Sequence, residues 1–406
     1  MSREEAIFLH IMRGVLWGEC AIGNTQLADY HVDWKAVLHI ARQQSCLHAV
    51  NVWMLKNRIH SPYTGQFRGN VFLTLQRQAR LNQLAAEVVA LLRDHGIASV
   101  LMKGYGLAML YPDPDMHAYG DVDIYVGEEN YMRAAEIVTE AYPDCYDHSD
   151  IKNNWVHYVL YLDDHEDRVI EIHRTTAELK NNAGNAAYQA YTVRCLEEAS
   201  LPSVPLCGMD VPVLPAHYNM LYLFMHMWHH FEETNGVGFR QIGDWVLAIH
   251  YAYRHTTSEQ WQQQVNDIKH VLDAMTLTTA WKVFGYVAVD ILHLPEEEYP
   301  LYTHSCRRRG KRLLRQLLRD GHWGRPCRQS IKDIALRRQF HGTRPKHIRI
   351  LQLAYTTWRL AFETIQRAKL FPDYAWAWCR VALRTVADKK RSPHSRQTDH
   401  STTGEA

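Results

Sequence analysis

Gly120-Asp121-Val122-Asp123-Ile124-Tyr125-Val126 sets two aspartates around one valine in an alternating, strand-like run. Residues i and i+2 of a strand share a face. Asp121 and Asp123 therefore project together, while Val122, Ile124 and Val126 point the other way into a core. Neighbouring carboxylates repel unless a positive group lies between them, and a divalent cation is the simplest such group. A metal held this way suits phosphoryl or nucleotidyl transfer. Further along, Val169-Ile170-Glu171-Ile172-His173 repeats the alternation, with Glu171 and His173 on one face. Laid beside the first strand, Glu171 would be the third carboxylate of one site. Three carboxylates suffice for two Mg²⁺ (or Mn²⁺) ions that keep waters for phosphate oxygens to replace. Glu171 would then lie nearest an acceptor hydroxyl, as ligand and base. Upstream, Lys103 offers a point charge for a β or γ phosphate, and Gly104 lets backbone amides approach phosphates closely. The same pattern also fits two solvent-facing aspartates on an edge strand, with Gly104 merely opening a helix.

The segment LMKGYGLAMLYPDPDMHAYGDVDIYV, with VIEIHR downstream, resembles the bacterial uncharacterised nucleotidyltransferase family of the polymerase-beta-like nucleotidyltransferase superfamily. That family shows an apolar-Lys-Gly, a small helix, a Tyr-Pro loop and Asp-apolar-Asp, then an acidic residue before an apolar-His pair. The resemblance covers residues 98–175 closely and extends in helical character to about residue 250. It implies a sheet carrying three metal-binding acids, here Asp121, Asp123 and Glu171. It also implies transfer of a nucleoside monophosphate from a nucleoside triphosphate to an acceptor hydroxyl. The acceptor stays open between a small molecule, a protein and an RNA end. Where many superfamily members carry Gly-Gly or Gly-Ser, this chain has Lys103-Gly104, the form this family shows. Where members usually place an arginine before the first aspartate, the chain has His117, a pH-dependent phosphate partner. The resemblance further suggests that Arg240 reaches a phosphate, although Arg240 and Asp244, at i and i+4, equally suit a helical ion pair.

The elements that must position these residues follow from periodicity. Residues 6–16, 34–56 and 73–95 carry apolar side chains at three- and four-residue spacing, and Gly96 is placed to end the last helix. A short strand over 98–102, a brief helix over 107–110 and a turn-rich Tyr111–Asp115 loop precede the Asp strand. A helix over 129–141 and strands over 155–162 and 168–175, joined by the polar turn 163–167, complete an α+β arrangement. The expected organisation is a helical region over 1–95, a nucleotidyltransferase-like core over 96–215, a helical domain over 216–387, and a disordered tail over 388–406.

Formal net charge is only +1, but residues 301–350 hold 15 Lys/Arg against Asp320 and Asp333. The other 356 residues carry 30 basic and 42 acidic side chains. This asymmetry supports a second function class, a catalytically silent binding or regulatory protein that meets RNA or another acidic partner through 301–350. The alternative for that segment is a solvated helical face. Within it, Leu313, Leu314, Leu317 and Leu318 form an apolar stripe. His226, His229 and His230 share a helix face and read as packing or phosphate-bonding histidines before zinc ligands, which would make a phosphohydrolase. Trp376 and Trp378 read as core. The eight cysteines lack a CxxC pair, and no apolar run is long enough to span a bilayer. Both features fit a cytoplasmic protein.

Overall fold

The computed structural model describes residues 1–18, 32–147, 156–162, 168–177, 182–198, 200–234, 236–324, 365 and 367–377. The turn expected at 163–167, the second half of the basic segment, Trp378 and the expected tail over 388–406 lie outside them. The chain divides into two compact units, Met1–Thr343 and Arg344–Ala406.

In the first unit, α1 (Arg3–Trp17), α2 (Trp34–Gln43) and α3 (Leu47–Lys56) lead into the long α4 (Thr64–Asp94). Leu81, Leu84, Val88 and Leu92 of α4 are almost fully buried, as their spacing requires. At its end the Gly96 amide donates to Arg93 O and the Ile97 amide to Leu92 O. These are the paired bonds of a Schellman cap. Then come β1 (Val100–Leu101), the short α5 (Tyr105–Ala108), β2 (Val122–Tyr125), α6 (Gly127–Ala141), β3 (Tyr146–Asp147), β4 (His157–Tyr161) and β5 (Val169–His173). The sheet order is β1-β2-β5-β4-β3. β2 and β5 run parallel, and the other pairings are antiparallel. The fold is thus α+β, a small mixed sheet among many helices.

Val122, Ile124 and Val126 pack with Ile170 and Ile172 beneath the α4 stripe and Tyr131, Ala134 and Val138 of α6. Burying that set on one face leaves the alternate positions of β2 and β5 on the other.

Two elements after β5 carry little signal in the sequence. α7 (Asn182–Leu196) begins in Asn, Ala and Gly, which favour no periodic stripe. β6 (Ser203–Leu206) and β7 (Met209–Pro212) form a hairpin. Each strand holds a proline, a residue that normally argues against strand. Cys207 and Gly208, both at positive φ (49° and 83°), make the two-residue turn that matches strand twist.

Helices α8 (Ala216–Thr234), α9 (Phe239–Arg254), α10 (Ser258–Ala274) and α11 (Thr278–Tyr286) follow. Phe224, Trp245 and Trp281 bind α8, α9 and α11 together, with ring centroids 5.0–5.6 Å apart. The Trp245 indole N–H donates to Met220 O at 3.0 Å. This aromatic cluster fixes the two helices that face the sheet's polar side.

The basic helix α12 (Arg307–Asp320) buries Leu313, Leu314, Leu317 and Leu318, as the stripe predicts. No helix among the described residues is long and apolar enough to cross a membrane. In the second unit Trp376 departs from expectation: it is 64% exposed, whereas Leu370, Phe371 and Ala375 are buried. Phe371 and Ala375, at i and i+4, share the buried helix face and turn the next residue away from it.

Candidate active site

Asp123 lies within β2, and Asp121 immediately precedes it. Parallel pairing sets Asp123 directly opposite Glu171, and Tyr125 opposite His173. Across the other edge of β5, Val159 faces Glu171 and His157 faces His173. One register thereby brings together carboxylates and imidazoles up to fifty residues apart in sequence.

Asp123 is 1% exposed. Lys103 Nζ lies 2.8 Å from its Oδ1, and His173 Nε2 lies 3.1 Å from the same oxygen. His173 Nε2 is also 3.2 Å from Glu171 Oε2. An imidazole nitrogen facing two carboxylates carries a proton. Burial works against charge on Lys103, but Asp123, with Tyr222, Asp121 and Glu171, outweighs it and holds the ammonium well above its ordinary range. Burial likewise opposes ionisation of Asp123, and Lys103 and His173 together hold it low. Asp121 moves the other way: repulsion from Asp123, reinforced by burial, pushes its carboxyl upward. His173 is raised because its two carboxylate partners overcome burial, whereas burial and the neighbouring His173 charge depress His157.

Asp123 Oδ2 is buried without a hydrogen-bond partner. A buried carboxylate oxygen is costly in that state. With Asp121 destabilised by the same negative charge, the site has the donor set that a hard divalent cation satisfies. The oxygen donors thus fit the magnesium or manganese implied by the sequence.

Beside Asp121 opens a cavity of about 690 Å³. Lys103, Gly104, His117 and Arg240 all line it, as does Arg77 from α4. Gly104 adopts φ 59°, ψ −124°, and its carbonyl accepts from the Leu107 and Ala108 amides at the start of α5. A Cβ there would meet the Tyr119 ring at an ordinary 3.4 Å, so the position favours glycine for its backbone and not for its space. Gly104 thus starts a helix and lines the cavity.

His117 is 2% exposed, with Nε2 3.2 Å from Asp244 Oδ1. Tyr111 donates its hydroxyl to the same oxygen at 2.6 Å. Arg240 Nη1 lies 3.8 Å from Asp244 Oδ2, so the i, i+4 ion pair forms while Arg240 also lines the cavity. Burial opposes charge on Asp244, and His117 and Arg240 nevertheless hold its carboxyl low.

Arg77 was not among the residues singled out by motif. Its Nη2 donates to Gly120 O at 3.2 Å, one residue before Asp121. The available signal was a cation four residues before Leu81, in line with the buried stripe of α4. His157 likewise emerges only from strand register. His226 and His230 line the cavity, with ring centroids 4.8 Å apart, while His229 is exposed. The three therefore do not converge on one point.

A family model described as uncharacterised nucleotidyltransferase matches residues 30–280. No curated protein matches. Among solved structures, the chain is similar to an antigenic nucleotidyltransferase-like protein from Paracoccidioides brasiliensis. Identity is 14% over 49% of this chain and 87% of that one, with a TM-score of 0.29; so loose an overlap carries no argument.

Proposed function

The chain belongs to the uncharacterised nucleotidyltransferase family, and we propose that it moves a nucleoside monophosphate from a nucleoside triphosphate to an acceptor hydroxyl. The observation that carries this reading is the β2–β5 register, which sets Asp123 beside Glu171, two residues on from Asp121 in the wall of a cavity that Lys103, Arg77 and Arg240 also line. Residues 96–215 carry the chemistry in this reading, and helices α3, α4, α8 and α9 shape the cavity.

Asp121, Asp123 and Glu171 would hold magnesium or manganese. Bound there, the cations supply charge stabilisation for the attacking and leaving oxygens. Lys103 and Arg240 attract the triphosphate, and Gly104 keeps a side chain out of its path. His117, braced by Asp244, forms part of the same wall. Glu171 is held ionised, its burial outweighed by the hydrogen bond and charge of His173 together with His157, and takes the acceptor's hydroxyl proton. A bond forms between the acceptor oxygen and the α-phosphorus, the bond from that phosphorus to the bridging oxygen breaks, and pyrophosphate leaves.

Incubation with each α-labelled nucleoside triphosphate and Mg²⁺ or Mn²⁺ is expected to transfer label to an acceptor from small-molecule, protein or RNA pools. A wild-type protein inert with all four nucleotides and every pool would contradict the proposal.

A further inference from the structure

Glu171 belongs to a second constellation besides the aspartate pair. His157, Glu171 and His173 each offer a ligand atom, and these atoms lie within 4.8 Å of one another. They form the one such group of three among the described residues. We propose that this trio is a first-row transition-metal site, which makes the acceptor-side cation of the transferase zinc- or iron-like in its donor preference instead of magnesium-like. The role in transfer rests on the function proposed above; binding of the metal does not.

The strands impose the geometry. His157 and His173 are direct partners across the antiparallel β4–β5 pair, and Glu171 lies two residues before His173 on the same face. Glu171 Oε2 is 3.9 Å from His157 Nε2 and 3.2 Å from His173 Nε2. Ligands bonded at about 2.1 Å to a tetrahedral ion are roughly 3.4 Å apart. The two distances bracket that value, so small side-chain rotations close the site without moving a strand. Three residues from two adjacent paired strands form a rigid frame, and three protein ligands leave positions open for water or substrate, as catalytic sites require.

The chemistry of the donors decides the metal class. Magnesium takes oxygen ligands in a near-ideal octahedron. Two imidazoles and one carboxylate suit iron, cobalt, nickel or zinc. Access is available, since the side chains of His157 and Glu171 are 33% and 20% exposed while His173 is 5% exposed. The ion takes the place of the proton that His173 Nε2 shares with Glu171 and Asp123, and that proton leaves to solvent. Because Asp123 is the register partner of Glu171, the trio stands next to the aspartate pair, and Glu171 serves both.

Cobalt(II) tests the site directly, because a cobalt ion bound by imidazole and carboxylate shows visible d–d absorption that free aqueous cobalt barely shows. Titration of the full-length protein is expected to give one equivalent of absorbing Co²⁺. His157→Ala and the bulkier His157→Gln, both checked for native circular dichroism, are expected to weaken binding by at least about tenfold. Asp121→Asn is expected to retain the absorption. Absence of d–d absorption in the wild type, or absorption unchanged by both His157 variants, overturns the site even where Mg²⁺ supports pyrophosphate release. Absorption lost with His157 upholds it even where no nucleotide is turned over.

Discussion

At Asp123 one oxygen receives both Lys103 and His173, and the other has no hydrogen-bond partner. A buried carboxylate so arranged depends on its cations. Removing one member of a buried pair leaves the other charge uncompensated, at about 3–5 kcal/mol. Lys103→Met is therefore expected to lower the unfolding free energy, read from urea denaturation, by an amount in that range, and an unchanged value would show that the pair contributes nothing. Asp244 provides a pH test. His117 and Arg240 hold its carboxyl below the ordinary value in the folded protein, so its contribution is present above the unfolded value of about 3.9. That contribution is lost as pH falls through the lower folded value. The stability gap between wild type and Asp244→Asn is expected to narrow below about pH 4, as read from denaturant midpoints. Both aspartates of the motif, Glu171 and Lys103 were legible as residue types at fixed spacing. Arg77 and His157 were not, because their relevance depends on which strand or helix lies beside which, and that is a tertiary fact.

Among the elements, β2 and β5 had the clearest sequence signal, since alternation assigns one face to Ile124 and Ile172 and the other to Asp123 and Glu171. Their side-by-side parallel pairing could be hoped for from residue types but needed the fold to place it. The β6–β7 hairpin escaped for a physical reason: edge strands tolerate Pro205 and Pro212 where central strands do not. Helix packing adds another test. An added Cβ at Gly310 of α12 would lie 2.2 Å from Tyr286 Cβ, an atom close to the backbone that cannot swing aside. Gly310→Ala should cost about 1–3 kcal/mol or more, in spite of alanine's better helix propensity. A neutral or stabilising result would mean that α12 and α11 are not in such close contact.

On the scale of the molecule, the sheet is not closed by its own segment. Leu81, Leu84, Val88 and Leu92, from the N-terminal helices, share one core with the strands of residues 96–215. A fragment of 96–215 is expected to show no cooperative thermal transition, whereas a fragment that melts sharply would mean that the α4 stripe is dispensable. The helices beyond Pro215 complete the cavity, through His226, Arg240 and Asp244, and the aromatic cluster of Phe224, Trp245 and Trp281 sets where those residues stand. The central claim is that Asp121 and Asp123 serve nucleotidyl transfer. Pyrophosphate release from each nucleoside triphosphate, measured with Mg²⁺ or Mn²⁺, tests it most directly. Release by the wild type that falls at least about a hundredfold in Asp121→Asn and Asp123→Asn is the expected result, of the order seen when a group acting in the transition state is removed. Release undiminished in both variants would contradict it.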